Sequence, residues 1–464
     1  MSRKKSSHGR GRNGRKEKKV FPLLEGRVQM TREGYAFVIV EGEDDDVFVK
    51  ASKTRGALHG DIVRVAVTRD KTDRQRREGE IVAILERSPK PFIGILHIVA
   101  NQAWVLMQSR FMPYDITIPF TESDRSRYRR HKVSSPVAEQ KDETGYLKPV
   151  SDDIYAVHGL YELDEDGYGR KELQVRSGMK VAAVVDDWPR GEMSPRGHIV
   201  DVLGEPGDND TEMHAILAEY ALPYRFESAV ANAADQISEE ITAEDIAARR
   251  DFRDVLTFTI DPADAKDFDD ALSFRKLENG NYEVGVHIAD VTHYVRPGSV
   301  VDEEAKSRGT SVYLVDRTVP MLPEKLCNKL CSLRPNEEKL TFSAVFEITP
   351  LARIAGQWFG KTVIYSDHRF AYEEAQAIIE AGPKAVHEGV SEEIKEAVLI
   401  LNNLASKIRK KRFASGAISF DRPEMKVEVD EKGKPVNVYQ KVTKEANWLI
   451  EEFMLLANRR VAEF

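Results

Sequence analysis

Five aspartates, Asp261, Asp264, Asp267, Asp269 and Asp270, crowd into the stretch LTFTIDPADAKDFDDALSF. Like charges this close repel, so such a loop is unfavourable unless a cation neutralises it. Carboxylate oxygens with no His or Cys beside them suit a hard ion, Mg²⁺ or Mn²⁺. Magnesium takes ligands at about 2.1 Å and keeps several waters, so a few carboxylates plus substrate phosphate complete its shell. Two such ions about 4 Å apart activate an attacking water and stabilise a leaving oxygen, which is what cutting a phosphodiester needs. Two blander readings stand beside this one. The loop is also compatible with a calcium site, although the glycine and glutamate of the EF-hand pattern are missing, and with plain surface charge.

The elements around the loop favour a buried site. LTFTI reads as a buried strand and DALSF as a strand resuming after the loop, so the acids converge at a sheet edge. His287, Asp290 and His293 follow in HIADVTHYV, which reads as a strand with both histidines on one face. They are expected to be structural rather than ligands. The 2 cysteines, Cys327 and Cys331, share a helical face, and with no matched histidine pair they are expected to be thiols in a reducing cytosol rather than a zinc site.

The 464 residues suggest about three domains. Hydrophobic residues make up 41% and charged residues 31%, an ordinary globular balance, and no apolar run is long enough for a membrane span. The net charge of −8 is unfavourable for a nucleic-acid binder, but its distribution matters more than its sum. Residues 1–20 are mostly Arg, Lys, Gly and Ser, with Glu17 the one acid and little to build a core, so a disordered basic tail that attracts phosphate is expected. From 21 to 88 five short strands punctuated by Gly and Asp suggest a small closed barrel of OB or cold-shock type. In it Val47 and Val49 suit the interior, so Phe48 points outward with Tyr35 and Phe37 as a platform for stacking bases. The alternative is that the rings pack inside. A second strand-rich block covers 89–205, with a polar insertion at about 122–173 that opens with the basic run SDRSRYRRHK. From 206 to 464 helices and strands mix in one α+β domain.

The chain resembles a known family at TIDPADAKDFDDA, and the likeness continues through VGVHIADVTHYV, RGTSVYLVDRTVPMLPEKLCNKLCSLRPNEEKLTFS, GAISFDRPE and LIEEFMLLAN. These segments are similar to the RNB family of exoribonucleases, ribonuclease II and ribonuclease R, with the arrangement most similar to the bacterial ribonuclease R branch. The resemblance implies two OB-fold/cold-shock β-barrels followed by a mixed α+β RNB catalytic domain. It implies that Asp261, Asp267, Asp269 and Asp270 are catalytic acids holding two Mg²⁺ ions, with Mn²⁺ as a substitute. It implies that Tyr313 stacks on terminal bases, that Phe420 is a second stacking aromatic and that Glu451 lies near the terminal nucleotide. The implied activity is processive 3′–5′ hydrolysis of single-stranded RNA to 5′-nucleotides in the cytoplasm, with no membrane role and no obligate protein partner evident. The family's catalytic domain continues with an arginine-bearing element and an S1 domain. ANWLIEEFMLLANRRVAEF is an amphipathic helix without a stop signal, so a truncated catalytic domain with an unpartnered helix face is expected. The competing reading is a non-catalytic RNA-binding or unwinding module, or an inactive fragment of such a nuclease.

Overall fold

The computed structural model describes residues 22–71, 76–100, 102–120, 145–163, 170–189, 191–384, 389–418, 424–430 and 434–464. The basic tail, the SDRSRYRRHK run and Phe420 lie outside the described residues. The chain divides into two compact units, 1–224 and 225–464.

In the first unit, strands β1 (Leu23–Met30), β2 (Ala36–Ile39), β3 (Val47–Val49), β4 (Ile62–Arg69) and β5 (Glu78–Glu86) close a barrel in the order β1-β2-β3-β5-β4. Alternation decides its inside: Val28, Met30, Ala36, Val38, Val47, Val49, Val63 and Val65 fill the core. A second closed barrel runs β12-β13-β8-β7-β6. Its strands are β6 (Phe92–Val99), β7 (Gln102–Met107), β8 (Ile116–Ile118), β12 (Lys180–Asp187) and β13 (Arg196–Gly204). The expected polar insertion proves partly structured. It contributes a three-stranded sheet of β9 (Leu147–Ser151), β10 (Ile154–Leu163) and β11 (Arg170–Val175), whose Leu147, Val157 and Val175 join the second barrel's core.

Helix α1 (Asn209–Glu219) follows the second barrel. Its Ala215 and Ala218 pack on Ile93, Ala182 and Leu203 of the second barrel, and Lys180 Nζ donates to Glu212 Oε2 at 2.6 Å.

The second unit is built on a seven-stranded sheet ordered β14-β21-β20-β17-β16-β15-β22. The strands are β14 (Arg250–Phe252), β15 (Thr257–Asp261), β16 (Asp270–Lys276), β17 (Tyr282–Ala289), β20 (Glu338–Ile348), β21 (Ile354–Tyr365) and β22 (His368–Ala371); the short pair β18 (Val312–Tyr313) and β19 (Thr318–Val319) stands apart. Small helices α2 (Ser228–Asp235), α3 (Ala243–Ala247), α4 (Val291–Tyr294) and α5 (Val300–Arg308) precede three larger ones, α6 (Tyr372–Ala381), α7 (Glu392–Ala414) and α8 (Glu445–Glu463). One sheet face buries Phe258, Leu272, Val286 and Phe346 against Ile378, Leu401, Leu449 and Phe453 of these three helices. The apolar face of α8, expected to lack a partner, is therefore covered. The fully buried Glu452 ties α8 to α7 through Arg412 at 2.6 Å and Arg409 at 3.1 Å. A β24–β23 hairpin (Glu424–Val429 as β23, Pro435–Lys441 as β24) completes the strands. Among the described residues no helix is long and apolar enough to cross a membrane.

The other sheet face holds a buried polar row. His287 reaches Ser343 Oγ at 2.6 Å and Ser273 Oγ at 2.8 Å, and burial pushes its pKa down to about 3, so the ring is neutral. A Cβ at Gly285 would collide with Ser273 and His287, so glycine makes room for the row. Asp290 pairs with Arg249 at 2.6 Å and Lys361 at 2.9 Å. His287 and Asp290 are thus bonded into the sheet, and His293 sits in α4 rather than on the strand.

Candidate active site

Antiparallel pairing of β15 with β16, Phe258 opposite Leu272, brings the two ends of the acidic loop together. Asp261 is the last residue of β15 and Asp270 the first of β16. The loop between them is held by its backbone. Ser332 Oγ donates to Lys266 O at 2.9 Å and accepts from Phe268 N at 3.1 Å. Leu333 N donates to Phe268 O at 2.8 Å, and Ala289 N to Asp269 O at 3.1 Å. Arg369 Nη2 donates to Pro262 O at 2.6 Å and Ala263 O at 3.0 Å. These contacts fix the path of the loop without engaging the carboxylates.

The carboxylates themselves are crowded. Asp261 is 8% exposed, and its Oδ2 is buried with no hydrogen-bond partner among the described residues. Burial pushes its carboxyl up to about 6, with the nearby Thr259 hydroxyl and Arg369 opposing the rise and Asp267 and Asp269 adding to it. Burial, and then Asp261 and Asp269, push Asp270 up to about 7. Asp269 also rises, through desolvation and Asp267, although its side chain keeps a path to solvent. Such shifts mark groups that would gain from a positive charge. Among the described residues no three acids, histidines or cysteines stand ready as a closed metal cage. Magnesium does not require one: one or two carboxylates, waters and a substrate phosphate suffice. The all-oxygen donor set and the orphaned Asp261 oxygen fit that ion.

Tyr313 stands over the same loop. It is 66% exposed, and its hydroxyl donates to Asp267 Oδ2 at 3.0 Å. Partial burial and then that bond push the phenol up to about 12, so it remains a donor. Although Tyr313 lies on strand β18, its ring is exposed and open to a ligand. Tyr372, at the start of α6, has its phenol pushed up to about 12, first by burial and then by Asp270 and Asp261. Glu451 pairs with Arg409 at 3.2 Å and Arg412 at 3.0 Å on α7. Cys327 is partly buried and Cys331 buried, and burial pushes their thiols up to about 11 and about 12.

In the first barrel, Tyr35, Phe37 and Phe48 form one cluster with ring centroids 5.5–6.0 Å apart. The rings lie outside the valine core. The expectation of three open rings needs correction at Phe48. It is only 7% exposed, because its neighbours surround it and the Arg76 guanidinium lies 3.5 Å from its ring centre. Tyr35 and Phe37 are half-buried.

Arg369, Ser332 and Tyr372 escaped the sequence reading. Each comes from a segment distant from the acidic motif. The linear hint is slight: Arg369 sits in the short edge strand HRFA.

Comparison with known proteins finds three family matches: "RNB domain" at residues 249–464, "Ribonuclease B OB domain" at 26–84 and "Cold shock domain" at 169–227. Ribonuclease R 2 of Lactococcus lactis is 33% identical over 438 residues, 92% of this chain and 59% of the relative. The chain thus spans little more than half the length of such relatives. A structure of Mycoplasma genitalium RNase R in complex with ribose methylated single-stranded RNA has a TM-score of 0.74 at 24% identity, covering 95% of this chain and 61% of that one. Yeast Ssd1, described as a pseudonuclease, has a TM-score of 0.57 at 21% identity over 95% of this chain and 54% of its own. At these identities the two structures speak to a shared fold.

Proposed function

Because this chain belongs to the RNB-domain family, we propose that it hydrolyses single-stranded RNA from the 3′ end, releasing 5′-nucleotides, in a Mg²⁺-dependent reaction. The observation that carries this reading is the bond from Tyr313 to Asp267, which sets an exposed aromatic ring beside the acidic loop. Asp261, Asp267, Asp269 and Asp270 would hold the ion. Bound Mg²⁺ lowers the pKa of an attacking water and offsets the charge that develops on the phosphate. The chain's own residues do the rest. The crowded carboxylates repel an RNA phosphate until neutralised, which makes entry conditional on the ion. Tyr313 offers a flat face to a terminal base, while its hydroxyl fixes the orientation of Asp267. The backbone anchors on Ser332, Ala289 and Arg369 hold the loop while its side chains stay available. Phe420 is a further stacking residue and Glu451 a contact to the terminal nucleotide on this reading. Mn²⁺ would substitute for Mg²⁺, and the setting would be cytoplasmic.

A second reading is favoured by the yeast pseudonuclease of the same fold: the chain binds RNA without cutting it. Incubation with 5′-labelled single-stranded RNA separates the two. A ladder shortening from the 3′ end with Mg²⁺ and absent in EDTA supports hydrolysis. Binding without shortening supports the second reading.

A further inference from the structure

Arg369 touches both arms of the acidic loop. Its strand β22 runs parallel to β15, with Arg369 opposite Thr259 and Ala371 opposite Asp261. From there Nη2 donates to Pro262 O at 2.6 Å and Ala263 O at 3.0 Å, the two carbonyls that follow Asp261. The guanidinium also lies 5.4 Å from the ring centre of Phe268, the residue between Asp267 and Asp269. Phe268 is itself buried and held by Ser332 and Leu333. One planar group therefore ties the first turn of the loop to its last. Its Nε is buried without a partner among the described residues, so the side chain is not spent on a salt bridge there.

Two roles give opposite signs. If Arg369 were only a nearby positive charge, its removal would deepen the negative potential and tighten divalent-ion binding. If it sets the separation of Asp261 from Asp267 and Asp269, its removal lets the loop relax and loosens binding. The contacts are directional and reach backbone carbonyls on one side and an aromatic face on the other. Lysine, a single point charge, cannot reproduce both. We propose that Arg369 is a positioning residue that shapes the acidic loop for divalent-ion binding. This rests on the reading of the loop as a metal site.

The test is direct Mn²⁺ binding to the full chain without RNA, followed by electron paramagnetic resonance of free Mn²⁺. Wild type is compared with Arg369→Met and Arg369→Lys, and RNA affinity is measured in EDTA as a control. Both variants should bind Mn²⁺ about tenfold to a hundredfold more weakly, as when supporting contacts to metal ligands are lost. RNA affinity in EDTA should stay within about twofold, because binding draws mainly on basic and aromatic residues outside the acidic loop. Unchanged or tighter Mn²⁺ binding in Arg369→Met, or full rescue by Arg369→Lys, overturns the proposal. If Arg369→Met does not fold, Arg369→Lys alone decides it, with weaker Mn²⁺ binding as the supporting result. A wild-type chain that binds no Mn²⁺ overturns the metal reading and this inference together; wild-type binding with unaltered variants overturns the inference alone.

Discussion

Asp270 is the residue where removing a charge should matter most. Its carboxyl sits at the head of β16, pushed up to about 7 by burial, Asp261 and Asp269. Asp270→Asn keeps the volume and removes the charge. Cleavage of RNA should fall at least roughly a thousandfold, about 4 kcal/mol of lost transition-state stabilisation. Equilibrium binding of the same RNA should hold or tighten as repulsion of phosphate falls. A labelled-RNA time course beside a filter-binding titration reads both, and near-parental cutting would remove Asp270 from the chemistry. Tyr313 separates stacking from hydrogen bonding. Tyr313→Ala should weaken binding of an uncleavable oligonucleotide by about 1–3 kcal/mol, while Tyr313→Phe retains most of it. Equal losses in both variants would mean that the bond to Asp267, not the ring, carries the effect. The acids were legible because charge density is a linear property. Arg369 and Ser332 were not, because their contact with the loop is made only by strand pairing and the chain's return.

Among the elements, the strands that carry the acids were readable from composition: the TFTI of LTFTI is buried throughout and DALSF resumes at Asp270 as expected. Periodicity also separated the valine core of the first barrel from its aromatic face. It could not show that the rings would close over one another. That difference divides their expected effects. Tyr35→Ala with Phe37→Ala should weaken single-stranded RNA binding about tenfold or more, with little change in melting temperature. Phe48→Ala removes a buried ring and should lower stability by about 3 kcal/mol. Fluorescence-monitored urea unfolding and RNA titration of the variants measure these effects. Undiminished RNA affinity in the double variant would mean that this face does not stack bases. The partner of the α8 face was not legible for a physical reason. An amphipathic pattern states that a face will be buried, not what buries it.

For the molecule as a whole, the acidic loop links pH, metal and stability. In the unfolded chain its aspartates ionise near 4. In the folded chain Asp261 holds its proton to about 6 and Asp270 to about 7. Raised folded values mean that the fold keeps protons the unfolded chain has released. Their contribution to stability is therefore greatest below about pH 4 and declines as pH rises towards about 7. A divalent ion competes with those protons. Millimolar Mg²⁺ should raise the melting temperature more near pH 8 than near pH 5, and calorimetry in Mg²⁺ and in EDTA checks it. With two compact units in the chain, only the transition of the 225–464 unit should respond. An equal gain at both pH values would place the ion elsewhere. The backbone anchoring of the loop has an evolutionary corollary. Because Ser332, Ala289 and Arg369 grip main-chain atoms or an aromatic face, the acids can be exchanged for neutral residues without unfastening the loop. Each exchange relieves repulsion, so drift away from chemistry runs downhill in stability. Lineages released from selection for cutting should shed these carboxylates early and keep the scaffold, which makes a silent nuclease with an intact fold an easily reached descendant.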